Sequence, residues 1–153
     1  MRKVILILVM SSLLAGCNGG LSSLTDQVFA KNAQPAAIIN TLYESAFEND
    51  EETVDRLLMH VDGYEGESYE AVEELSAHVM ELGGVNNLNI TEIKRNQIQS
   101  EVAEDLEYDY GDNWRVVSSE LGGGYSFVWI LQKVDSELVI VYLEEVYLED
   151  IIQ

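Results

Sequence analysis

The sequence predicts an α+β domain: three N-terminal helices packed on a curved antiparallel sheet of about five strands in meander order. Two observations carry this. Between residues 35 and 82 the apolar side chains recur at helical spacing, and after Gly84 the period falls to two. The connections between the later apolar runs are six residues long in the first case and three in the others, which permits hairpins and forbids parallel crossovers. The chain of 153 residues is one domain's worth, and its 47% apolar content is that of a foldable protein despite 28 acidic against 8 basic side chains.

The first helix is the best defined. Pro35 suits a first helical position, and Ile38, Ile39, Leu42, Tyr43, Ala46 and Phe47 form one broad stripe. Asn49-Asp50 then interrupts the pattern, with Asp50 as a cap and Glu51 and Glu52 at the positive end of a second helix carrying Val54, Leu57, Leu58 and Val61. Gly63 and Gly66 end it. Ser68 opens a third helix with Tyr69, Val72, Leu75, Val79 and Leu82 inward, stopped by Gly83-Gly84.

The strand-like runs are 88–95, 102–110, 114–121, 125–134 and 138–147. In the second, Val102, Leu106, Tyr108 and Tyr110 are assigned to a core face, and Asp105, Glu107 and Asp109 to a solvated acidic face. The last two are apolar at nearly every position, as expected of strands that are central or covered on both faces.

The N-terminus carries a different signal. Met1-Arg2-Lys3 is a short basic region, and the eleven residues Val4 to Leu14 are apolar apart from Ser11 and Ser12. That is too short to span a bilayer, which takes about 20 residues, and has the length of a signal-peptide core. The stretch ends in Leu14-Ala15-Gly16-Cys17, which resembles the lipobox of bacterial lipoproteins. The resemblance implies cleavage before Cys17, diacylglycerol (typically palmitate-bearing) on its thiol, and a membrane-anchored chain in the cell envelope. Residues 1–16 are then the leader, 17–32 the lipidated Cys and a small, polar tether, and 33–153 the domain. Fifteen extended residues reach at most about 50 Å, and Val28 and Phe29 are candidates to dock on the domain. Asn18 after the Cys reads, by the same resemblance, as an outer-membrane address facing the periplasm in a cell with two membranes. A one-membrane cell would display the domain outside.

Three helices and then a meander behind a lipobox resemble the small lipoproteins of the nuclear-transport-factor-like superfamily, also described as cystatin-like cone or lumazine-binding-like domains. The likeness rests on Pro35-Ala36-Ala37-Ile38-Ile39 with Tyr43 and Phe47, the Asn49-Asp50 break, and Val128 to Ile140. It covers about residues 33–148. Leu138-Val139-Ile140 stands where such domains often carry a Lys-Trp-Lys-like segment. The resemblance implies a cone whose open end can hold a ligand, and no particular reaction.

Composition narrows the function. Loss of residues 1–16 removes Arg2 and Lys3 and no acid, leaving 6 basic and 28 acidic side chains, a net charge of −22. Such a chain does not bind nucleic acid or anionic headgroups by charge, so the membrane is reached through the anchor at Cys17. A single Cys excludes an internal disulfide and a thiolate zinc site. His60 and His78 lack zinc spacing and read as structural, and no nucleophile elbow, P-loop or dinucleotide fingerprint occurs. The acids from Asp105 to Asp112 miss the calcium-loop spacing, and Asn89-Ile90-Thr91 is a glycosylation sequon lying within an expected strand.

No catalytic residue, metal or cofactor is therefore assigned. Two readings stay open. The domain is a non-catalytic protein-binding module whose acidic face, Asp105, Glu107 and Asp109, engages a basic envelope protein, as an inhibitor or immunity protein does. Alternatively it is a carrier of a small apolar ligand in a pocket built from Tyr43, Tyr69, Tyr108 and Trp114, with Tyr64 near them.

Overall fold

A computed structural model describes residues 33–153. The leader, Cys17 and the tether lie outside the described residues. The described chain is α+β, with four α-helices and a four-stranded antiparallel meander that stays open.

The first three helices occupy the expected span: α1 Pro35–Phe47, α2 Glu51–Leu58 and α3 Ser68–Glu81. Pro35 is at the start of α1, and Ile38, Ile39, Leu42, Tyr43 and Ala46 are buried along one side. Asp50 caps α2 as expected, its Oδ1 accepting from the Thr53 amide at 3.2 Å. Behind α3 the Gly84 amide donates to the Val79 carbonyl at 2.9 Å, and Gly83 takes φ +82°, a conformation glycine adopts without strain. Tyr69 and Phe47 depart from expectation. Both are exposed, because each sits at a helix end beyond the reach of the sheet.

The sheet is β1 Ile90–Ile93, β2 Trp114–Gly122, β3 Tyr125–Val134 and β4 Glu137–Tyr147, paired in that order. Asp135 and Ser136, at φ +48° and +78°, make the two-residue turn that joins β3 to β4 and matches the strand twist. The second expected strand, 102–110, is instead a helix, α4 Ser100–Tyr110, which leaves four strands where five were expected. Read with period two, its core face must include Glu104, which is exposed. Read with period four, Val102, Leu106 and Tyr110 fall on one stripe and pack on the sheet. The helix-favouring Glu101, Ala103, Glu104 and Leu106 agree with the second period. Arg95 fixes the entry to α4 by pairing with Glu107 and lying 4.9 Å over the Trp114 ring. Gln132 fixes its end, Nε2 donating to the Tyr110 carbonyl at 2.7 Å.

Alternation along the strands makes two cores, so β3 is central and covered on both faces. Toward α1–α3 point Val117, Phe127, Trp129, Leu131 and Ile140. Toward α4 and the C-terminal residues 148–152 point Trp114, Val116, Val128, Ile130 and Tyr142. In the first core Ser119 joins two rings: Trp129 Nε1 donates to its Oγ at 2.9 Å, and the Tyr43 hydroxyl shares a 2.8 Å hydrogen bond with it.

Burial pushes the Tyr43 hydroxyl up to about 12 from its ordinary 10, against the lowering effect of its bond to Ser119. An acid whose folded value is raised favours folding while the unfolded chain also holds its proton. The stability is therefore fully present below pH 10 and is lost as pH climbs from 10 to about 12. Two pH units correspond to roughly 3 kcal/mol. Urea titrations should show this fall, and Tyr43→Phe should flatten it while costing about 1 kcal/mol at neutral pH for the lost hydrogen bond. An unchanged alkaline slope in Tyr43→Phe would contradict the assignment.

Candidate binding cleft

The inner stripe of α4 does not seal against the sheet. Between them opens a cleft of about 490 Å³. Its walls are apolar: Val102 and Leu106 from α4, Val116, Val128 and Ile130 from the sheet, and Ile98 and Ile151 from the adjoining segments. Asp62, Asp109, Tyr110, Tyr142 and Glu144 add polar groups to this lining, three of them carboxylates.

Local structure explains each acid. Asp62 follows α2, and its amide donates to the Val141 carbonyl at 3.0 Å. Val141 is the extra residue of a β-bulge, since Ile130 pairs with Tyr142 and Leu131 with Ile140, so its carbonyl is free to receive that bond. The bulge thereby fixes the loop that carries Asp62. Asp109 is in the last turn of α4, and Glu144 is on β4 opposite Val128. The tyrosines register the resulting negative field. Tyr110 is raised above its ordinary value by burial, then by Asp109, Tyr142 and Asp62, and Tyr142 by burial, then by Glu144 and Asp62. Both phenols stay protonated through neutral pH and present hydroxyl donors beside the carboxylates.

The four aromatic pocket candidates do not come together. Tyr43 is fully buried in the core beneath α1. Trp114 is also buried, on the other sheet face and under Arg95, and it is not part of the cleft lining. Tyr69 and Tyr108 are 63% and 91% exposed, on the outer sides of α3 and α4. Tyr64 donates to Asp55 at 3.0 Å, away from the cleft, and its hydroxyl is pushed up to about 12, chiefly by desolvation and then by Asp55.

The expected acidic triad is split as well. On a helix, residues 105 and 109 share a side, and residue 107 lies about half a turn away. Asp109 lines the cleft, Asp105 is exposed beyond it, and Glu107 is paired with Arg95. Sequence reading did not single out Asp62, Glu144 or Tyr142 for this cleft; it placed Tyr142 correctly on a strand and Tyr110 on a strand where the structure has the end of α4. The one available signal was the spacing Val102, Leu106, Tyr110, which places Asp109 next to the last residue of the stripe.

Compared with known proteins, the chain matches no protein-family model, no curated protein and no solved structure. The site is therefore read from its own chemistry. His60 is exposed, and the His78 ring lies 6.0 Å from Tyr43 and 5.9 Å from Phe127 in the first core, remote from the cleft. Among the described residues no group of three His, Cys, Asp or Glu side chains is placed to hold a metal ion. The arrangement offers an apolar slot beside three carboxylates and two hydroxyl donors, with no cation in the lining.

Proposed function

We propose that this chain is a lipid-anchored, non-catalytic binding module of the cell envelope, and that its cleft receives a basic partner protein. The anchor is Cys17, and in a cell with two membranes the domain faces the periplasm from the outer membrane. The observation that carries the binding role is the cleft itself, with an apolar slot flanked by Asp62, Asp109 and Glu144. A bare hydrocarbon gains nothing from those acids, and a bare cation gains nothing from the slot. A segment with an apolar side chain next to Lys or Arg satisfies both. The surplus of 28 acidic over 8 basic side chains adds long-range attraction for such a partner. The cone-like superfamily remains part of this proposal, through the order of α1–α3 before the meander and the concavity on the sheet face away from them.

Crosslinking in intact envelopes tests it. Wild type should capture a basic protein, less of it at high salt, and Asp62→Asn/Asp109→Asn/Glu144→Gln should lose that capture. The control Glu104→Gln/Asp105→Asn, on exposed acids outside the cleft, should retain it. Equal loss in both variants reduces the acids to general surface charge. A small apolar molecule that stays bound through purification in high salt would favour the carrier reading instead.

A further inference from the structure

The face that carries the cleft holds a second concavity of different chemistry. The C-terminal segment runs back across this face, where Ile98 and Ile152 form an antiparallel bridge and the Gln153 amide donates to the Gln97 carbonyl at 2.8 Å. Its Ile151 lines the first cleft, and its Ile152 and Gln153 line the second, of about 540 Å³.

The floor of the second cleft contains Ser118 and Ser126. They continue the rows of Val116 on β2 and of Val128 and Ile130 on β3, positions where alternation against a core calls for apolar side chains. Both are nine-tenths buried or more, at 5% and 3% exposure. Ser126 makes no side-chain hydrogen bond among the described residues, and Ser118 reaches only the Thr91 carbonyl, at 3.4 Å. Among the described residues the polar side-chain atoms that are both sealed from solvent and unpartnered are elsewhere, at Ser45, His78 and Trp114, so the serine hydroxyls of this floor open to the cleft and can be bonded from it.

The surrounding groups retain capacity in both directions. Gln97 spends its Oε1 on the Lys94 amide and keeps its NH₂ donors, and Glu120 accepts from Asn89 through Oε2 and keeps Oε1. No Lys or Arg lines the cleft, and Glu92 and Glu120 repel anions. Ile93 and Ile152 supply small apolar patches between these polar groups.

We propose that this second cleft binds an uncharged saccharide. A sugar ring combines closely spaced hydroxyls, each donor and acceptor, with apolar C–H faces, and it carries no charge for the carboxylates to reject or pair. The site is independent of the first cleft and of its protein partner.

Amide NMR of the full-length protein tests the inference with two neutral disaccharides as probes, maltose and diacetylchitobiose, and an uncharged alanine tetrapeptide as comparator. At least one sugar should give saturable shifts at Ser118, Ser126 and Gln153 at millimolar concentration, with the tetrapeptide giving none. Ser126→Val extends the apolar floor, so it should keep the fold and weaken sugar binding about tenfold, as loss of one buried hydrogen bond does. Ser118→Val gives a second, separate reading of the floor. The proposal is overturned if neither sugar gives saturable shifts, if both variants bind as wild type does, or if the tetrapeptide alone saturates.

Discussion

Trp129→Ala should be the most damaging single substitution in the domain. Trp129 is fully buried on the central strand, and its ring meets Tyr43 edge-on at 6.0 Å and Phe127 at 5.9 Å. Truncation removes those contacts and leaves a cavity beneath α1, a change that costs about 3 to 5 kcal/mol in other cores. It also takes from the buried Ser119 hydroxyl the indole donor at 2.9 Å. With total stability of about 5 to 15 kcal/mol for a typical domain, the variant should be largely unfolded or strongly shifted in urea midpoint. Trp129→Phe, which keeps most of the volume and loses the donor, should fall between it and wild type. A cost under about 1 kcal/mol for Trp129→Ala would mean that α1 and the sheet are not packed together as described.

Cys17→Ser should abolish membrane attachment. The proposed anchor needs a thiol for the thioether to diacylglycerol, and a serine hydroxyl does not replace it. The apolar run Val4 to Leu14 is too short to hold the chain in place as a spanning helix. Among the described residues no helix is long and apolar enough to cross a membrane. Two or three acyl chains give stable anchoring where one is marginal, so the change should be near-complete. Mass spectrometry should find wild type cut before Cys17 with added acyl mass, and the variant unlipidated, either uncut or released. Wild-type fractionation and processing of Cys17→Ser would remove the lipoprotein reading and leave the cleft untouched.

The parts of the fold that were legible in sequence are those where one period dominates. Pro35 with the Ile38 to Ala46 stripe, the Asp50 cap and the Gly83-Gly84 stop placed α1 to α3, because each signal acts within a few residues of the chain. The turn at Asp135-Ser136 and the dense apolar runs around it placed β3 and β4. Residues 102–110 were ambiguous because acids occupy 105, 107 and 109 while Val102, Leu106 and Tyr110 are four apart, so both periods find matches. Exposed Glu104 decides for the helix.

The site was less legible for a physical reason. Its acids come from the loop after α2, the end of α4 and the edge strand β4, joined by a bulge at Val141 that no local pattern announces. The aromatic candidates lie apart in the fold, and aromatic composition does not distinguish a core ring such as Tyr43 from a surface ring such as Tyr108.

Calorimetric titration of the cleft with a short peptide, one leucine flanked by lysines, tests the central proposal most directly. Wild type should bind it more weakly as salt rises, and Asp62→Asn/Asp109→Asn/Glu144→Gln should bind about tenfold more weakly or worse, since each 1.4 kcal/mol lost is a factor of ten. A peptide with alanine in place of the leucine should lose affinity as well, because the slot is then unfilled. Equal binding by wild type and the triple variant, or indifference to the leucine, would contradict the assignment of this cleft as the binding site.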